Sequence, residues 1–201
     1  MQQHAVGKTI VLLLSIAALV GCDQVPKEDV ANAERAMDAA RAADASDYAS
    51  QTWTAAEGHR QQLQAELDAQ QKAFALSRSY DKAKTLAIET RELADKAAAE
   101  AVTGKERARQ EAGDAIAQAR QLKQEVEQLL EKAPRGKGTT ADLATLKSDA
   151  GSTEASLAEA QAAYDAGSYL DARSTAEGVL RKLEDIKAEI ERARQVRSSR
   201  T

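Results

Sequence analysis

A stripe of small and apolar residues runs without a break along the middle of the chain. It comprises Ala83, Leu86, Thr90, Leu93, Ala97, Ala101, Gly104, Ala108, Ala112, Ala115, Ala119, Leu122, Val126, Leu129 and Ala133. Its fourteen steps cover 50 residues, a mean of about 3.57, between the repeat of a coiled coil and that of a straight helix. Only a helix returns side chains to one face at that interval. The two prolines, Pro26 and Pro134, both lie outside it. If unbroken, residues 80–133 make a rod of about 80 Å; continuity through Gly104 stays open. The weak point is "TGKE", 103–106, because a glycine in a helix interior costs about 1 kcal/mol relative to alanine.

The flanking segments read as shorter helices. After Pro26, which suits the start of a helix, Val30, Ala33, Met37 and Ala40 step by three and four. "ADASD", 43–47, breaks that seam with short polar residues that favour caps and turns. Trp53, Ala56, Leu63, Leu67, Gln70 and Phe74 then share a face of a second helix over 47–78, with "SRS", 77–79, as its turn. Beyond the loop "PRGKGTT", 134–140, come Leu143, Leu146, Ala150, Thr153, Leu157, Ala160 and Tyr164. "DAGS", 165–168, turns at Gly167 into Ala172, Ala176, Val179, Leu183, Ile186, Ile190 and Ala193. Phe74, Tyr80 and Ala83 at one turn parallel Tyr164, Tyr169 and Ala172 at the other, so an aromatic plug is expected at each bend.

The fold class follows: all-α, an elongated antiparallel helical bundle or coiled coil, with two bundles sharing a long central helix. Short turns make neighbours antiparallel, so 47–78 should cover the first half of the central helix and 141–166 the second. The organisation expected is an N-terminal bundle with the central helix over 28–133, the loop 134–140, a hairpin over 141–197 packed on that helix, and a tail, 198–201. Composition agrees, because 41 of the 180 residues after position 21 are alanine and only six are aromatic. Strong helix formers dominate, and too few β-branched and aromatic residues remain for a sizeable sheet.

Charge and chemistry narrow the function classes. The formal net charge is -4 with signs interspersed, so no basic stripe offers a nucleic-acid surface. Arg192, Arg194, Arg197 and Arg200 read as a solvated helix end whose cations complement the dipole, ahead of a role at anionic lipid or peptidoglycan. His59 is the only histidine after His4, and Cys22 the only cysteine. A histidine-based triad or a multi-histidine metal site therefore has no residues to use. "GKGTT", 136–140, lacks the spacing of a phosphate-binding loop. Asp44 and Asp47 read as solvated charges, and Trp53 as a bundle anchor rather than a ligand plate. No catalytic residue, cofactor or metal ligand is assigned, and an enzyme is not expected.

The head of the chain is the most specific signal. A short polar stretch with Lys8 leads into Ile10–Val20, eleven residues that are apolar except for Ser15. A helix of that length spans about 16 Å, too little for a stable membrane crossing, and the arrangement is that of an export leader. The run ends in Leu19-Val20-Gly21-Cys22, which resembles the lipobox of bacterial lipoproteins at every position. That resemblance implies removal of 1–21 and attachment of diacylglycerol to the Cys22 sulfur, with further acylation such as palmitate on the new amino group. Two or more chains give a stable anchor where one is marginal. Residues 22–27 would be the tether. Asp23 resembles the inner-membrane retention signal of enteric bacteria, and inner and outer membrane both stay open.

"ERAMDAARAADASDYASQTWTAAEGHR" leading to "SYDKAKTLA" is similar to the alanine-rich helical lipoproteins of the bacterial envelope that have no assigned function; the C-terminal third departs from that pattern. The anchor, the extended helical body and the lack of an assigned catalytic site lead to the role expected: a membrane-anchored structural or adaptor protein, its body in the periplasm and its helix faces bound to another envelope protein. An alternative is a self-assembling spacer between membrane and peptidoglycan, a homo-oligomer joined through alanine seams.

Overall fold

The structure, a computed structural model, describes residues 24–133 and 140–198. The expected leader, Cys22, Asp23, nearly all of the 134–140 loop, and Arg200 lie outside the described residues. Six α-helices and no strand occur among those described: α1 (Lys27–Ala42), α2 (Ala45–Tyr48), α3 (Ser50–Lys72), α4 (Asp81–Glu131), α5 (Thr140–Asp165) and α6 (Tyr169–Ser198). The chain is an all-α bundle organised on α4, against which α1, α3, α5 and α6 all pack.

α4 runs its 51 residues without interruption, through Gly104, a length of about 77 Å. Every member of the Ala83–Ala133 stripe is buried or half-buried. Ala87, Ala94, Ile116 and Leu130 are buried as well. They form adjacent columns, because α4 takes two neighbours along each half and one seam can face only one of them.

Around the first half, Ala33 of α1 and Leu63 of α3 meet Tyr80, Ala83, Leu86 and Ala87, with Val30 and Leu67 at the margin. Further along, Met37, Ala40, Trp53 and Ala56 close on Ala94, Ala97 and Ala101. α1 therefore runs parallel to α4 and α3 antiparallel to both. Around the second half, Val126 and Leu130 meet Leu146, Ala150, Leu183, Ile186 and Ile190, while Ala115 and Ile116 meet Ala160 and Ala176. α5 thus returns along α4 and α6 runs parallel to it. The same up–down–up arrangement occurs twice on one shared helix. Its two copies differ in content: the second core is mostly leucine, isoleucine and valine, whereas the first sets Met37, Trp53, Leu63 and Leu86 among many alanines.

The turns have local causes. At the end of α5, Gly167 adopts φ 83, the left-handed conformation open to glycine without strain. The Gly167 N–H donates to the Tyr164 carbonyl at 3.0 Å and the Ser168 N–H to the Ala163 carbonyl at 2.9 Å, the paired bonds of a Schellman motif. Asp44, between α1 and α2, is left-handed too, at φ 58, and aspartate is one of the few side chains that tolerate it.

Four expectations need correction. The second helix is not continuous over 47–78: non-helical backbone at Ala49 (φ -141, ψ 39) separates α2 from α3, and α3 stops at Lys72. Arg78 ends it, donating from Nε to the Ala73 carbonyl at 3.0 Å and from Nη2 to the Gln71 carbonyl at 3.1 Å. Phe74 consequently leaves the helix and is 73% exposed, so the first bend has no plug beyond the buried Tyr80. Ala193 is exposed, because the α6 seam has run past the end of α4. Finally, Thr140 opens α5 and Ser198 still belongs to α6, one residue outside the expected hairpin at each end.

Candidate functional site

The two bundles meet at a waist on α4 between Gly104 and Gly113, where three of the four tyrosines converge. α2 delivers Tyr48 and the α5–α6 turn delivers Tyr164 and Tyr169. Gly104 explains the fit of α2: a Cβ there would collide with the Tyr48 carbonyl oxygen and lie 3.2 Å from Tyr48 Cβ. The glycine is thus a seat for a crossing backbone. At Gly113 a Cβ would meet only the Tyr164 ring, at 3.6 Å or more, an ordinary contact.

Charge surrounds the aromatic groups. Lys105 Nζ lies 2.7 Å from Asp44 Oδ2 and 5.7 Å from the centre of the Tyr48 ring, within cation–π range. The hydrogen bond to Asp44 holds the Lys105 ammonium above the usual lysine range, against a smaller effect of burial. Burial pushes the Tyr48 phenol up, opposed first by Lys105 and least by the backbone of Tyr169 at the start of α6. Tyr164 and Tyr169 stack edge to face with centroids 5.4 Å apart. Arg109 grips Glu106 with two bonds of 2.9 and 3.1 Å. Each bundle is seated on α4 beside the other, and the charged groups of the site are already committed to one another.

The remaining residues singled out from the sequence are dispersed. Trp53 is 7% exposed, and Arg41 lies 5.6 Å from the centre of its ring, a bundle anchor as expected. His59 Nδ1 sits 3.2 Å from Glu89 on the α3–α4 face. Asp44 is paired, as above, and Asp47 accepts from Ser46 at 3.3 Å. In the basic tail, Arg194 donates to the Leu129 carbonyl at 3.1 Å, capping the last turn of α4, and Arg192 donates to its own helix at Ala188. Cys22 lies outside the described residues.

Among the described residues, no group of three or more His, Cys, Asp and Glu is arranged to hold a metal ion, and no helix is long and apolar enough to cross a membrane. No protein-family model, curated protein or solved structure matches the chain. A groove of about 600 Å³ between α4 and α5 is open to solvent, and its polar groups pair within it. Lys123 lies 2.6 Å from both Glu127 and Glu154, and Arg120 donates to Gln161 at 2.8 Å.

The convergence of Tyr48, Tyr164 and Tyr169 was not visible in the sequence. Tyr48 lies more than a hundred residues from the other two and on no shared repeat. The one available signal was Gly104: a glycine at a seam position in an alanine-rich helix marks a close backbone approach.

Proposed function

We propose that the protein is a lipid-anchored adaptor of the bacterial envelope, tethered through Cys22 and binding an envelope protein along its helix faces in the periplasm. One observation carries the reading. Leu19-Val20-Gly21-Cys22 ends only four residues before Pro26, the N-cap of α1, and α1 lies along a continuous helix of about 77 Å. A tether that short couples the rod closely to the membrane, while the rod carries binding faces far from it. The shallow, internally paired grooves agree with recognition by extended helix surfaces. The spacer alternative draws no support from the alanine seams, because those alanines are already buried against partner helices of the same chain.

Two measurements test the proposal. The mass of the chain purified from its native membrane should equal that of residues 22–201 plus fatty acyl groups. A product that starts at Met1 without acyl mass overturns the anchor. Photocrosslinkers placed at exposed positions of α3 and α6 in living cells should capture the same protein neighbour from several sites. If no position yields a specific neighbour and deletion leaves the envelope unaltered, the adaptor role fails.

A further inference from the structure

Phe74 and Leu76 are 73% and 78% exposed, and Val25 is 39% exposed. All three lie at the end of the rod where the tether emerges. Val30 of α1, Leu67 of α3 and Tyr80 ahead of α4 pack in one cluster. The start of α1, the end of α3 and the start of α4 therefore share that tip.

The projecting side chains do not result from a loose turn. Arg78 ties down the carbonyls of Gln71 and Ala73, the Ser77 N–H donates to the Phe74 carbonyl at 2.9 Å, and the Ser79 N–H donates to Gln70 Oε1 at 3.1 Å. Gln70 in turn donates to Glu66, which also pairs with Lys82 at 2.7 Å. The polar groups fix the backbone and leave Phe74 and Leu76 facing water. Large apolar side chains held in water together at one end of the rod mark a contact surface.

We infer that this tip is a membrane-contacting surface, with Phe74 and Leu76 set into the outer hydrocarbon of the bilayer that holds the tether. The position of the preceding chain selects that occupant. From Cys22 to Pro26 the chain can span at most about 14 Å, and the apolar Ile10–Val20 run precedes it. Whatever part of the head enters lipid keeps the tip within reach of the headgroups. Lys27 and Lys72, both exposed at this end, can lie along the apolar boundary and direct their ammonium groups to lipid phosphates. The tip acts as a foot that limits swivelling about the tether. This inference rests on the anchored reading, but it concerns different residues.

The test uses the full chain with Leu76→Cys or, as control, Val102→Cys. Val102 is 64% exposed and about 30 Å farther along α4. Each variant carries an environment-sensitive dye and is reconstituted in phosphatidylcholine–phosphatidylglycerol vesicles containing a shallow lipid-borne quencher. The dye at 76 should emit at shorter wavelength and be quenched at least threefold more than the dye at 102. Quenching at 76 no greater than at 102 overturns the inference and leaves the anchor intact. A blue shift that appears without vesicles and grows with protein concentration means a second copy covers the tip, and overturns it too. Absence of acyl mass on Cys22 overturns the anchored reading alone; the comparison of 76 with 102, repeated in the Cys22→Ser full chain, still decides the tip.

Discussion

Gly104 and Gly113 are both interior to α4, and helix propensity alone predicts the same gain of about 1 kcal/mol on replacing either with alanine. Their surroundings separate them. Gly104→Ala must displace the Tyr48 backbone and so unseat α2, a steric change that costs about 1–3 kcal/mol; Gly113→Ala meets only the edge of a tyrosine ring. We expect opposite shifts in urea midpoint, downward for Gly104→Ala and level or upward for Gly113→Ala. Equal shifts would mean that the Tyr48 crossing is not closely seated. Acid should expose a second residue-level effect. The Glu66 carboxyl lies below its usual range chiefly through the hydrogen bond from Lys82, then that from Gln70; Glu154 is lowered chiefly by the bond from Lys123. A lowered folded-state pKa means the unfolded chain binds the proton more readily. The associated stability is therefore complete above about pH 4.5, the ordinary glutamate value, and is lost as pH falls through the folded values. The melting temperature should be flat near neutrality and decline below that pH, with a shallower decline in Glu66→Gln/Glu154→Gln. These residue-level contacts were the least legible part of the sequence. A glycine's neighbour and a carboxylate's partner both lie on other helices.

The two halves of the rod use the same arrangement with different cores, so their helices should open at different free energies. Burial of apolar area sets the scale, and an alanine contributes far less of it than a leucine or isoleucine. Leu146, Leu157, Leu183, Ile186 and Ile190 line the α5–α6 side, whereas α1 and α3 bring mainly alanines around Met37, Trp53 and Leu63. Native-state hydrogen exchange should show amides in the middle of α3 exchanging at least tenfold faster than those in the middle of α6; equal protection would imply that α4 couples the halves into one cooperative unit. Trp53→Ala removes the largest side chain of the weaker core at a cost of about 3–5 kcal/mol. It should release α1 and α3 while protection of α6 persists. This is the scale at which the sequence was most readable. The period of the 83–133 stripe specified the central helix, and the turn at Gly167 specified the hairpin, because both depend on local spacing. What it lacked was the length of each neighbour. The helical pattern carries Phe74 past the true end of α3, which Arg78 sets, and carries Ala193 past the end of α4. Periodicity reports a face but not whether anything is opposite it.

An unbroken α4 determines the dimensions of the whole molecule, since any break near Gly104 would let the two bundles fold back on each other. Gly104 has the propensity for such a break. The seating of Tyr48 upon it and the Asp44–Lys105 pair oppose one, because a bend there would disturb both. A compact chain of about 180 residues has a radius of gyration near 16 Å, whereas a rod of about 77 Å reaches roughly 22 Å from its length alone and more with its width. Small-angle scattering of the chain in detergent, after subtraction of the micelle by contrast matching, should therefore give a radius above about 22 Å. Gly104→Ala offers a control with a defined direction. Alanine is the better helix former, so it leaves α4 straight while disturbing α2, and the radius should stay within about 1 Å even as stability falls. A value near 16 Å for the unaltered chain would mean that the waist folds and brings the far bundle back beside the first. The proposed adaptor role would then lose its basis, because that role depends on the reach of a rod.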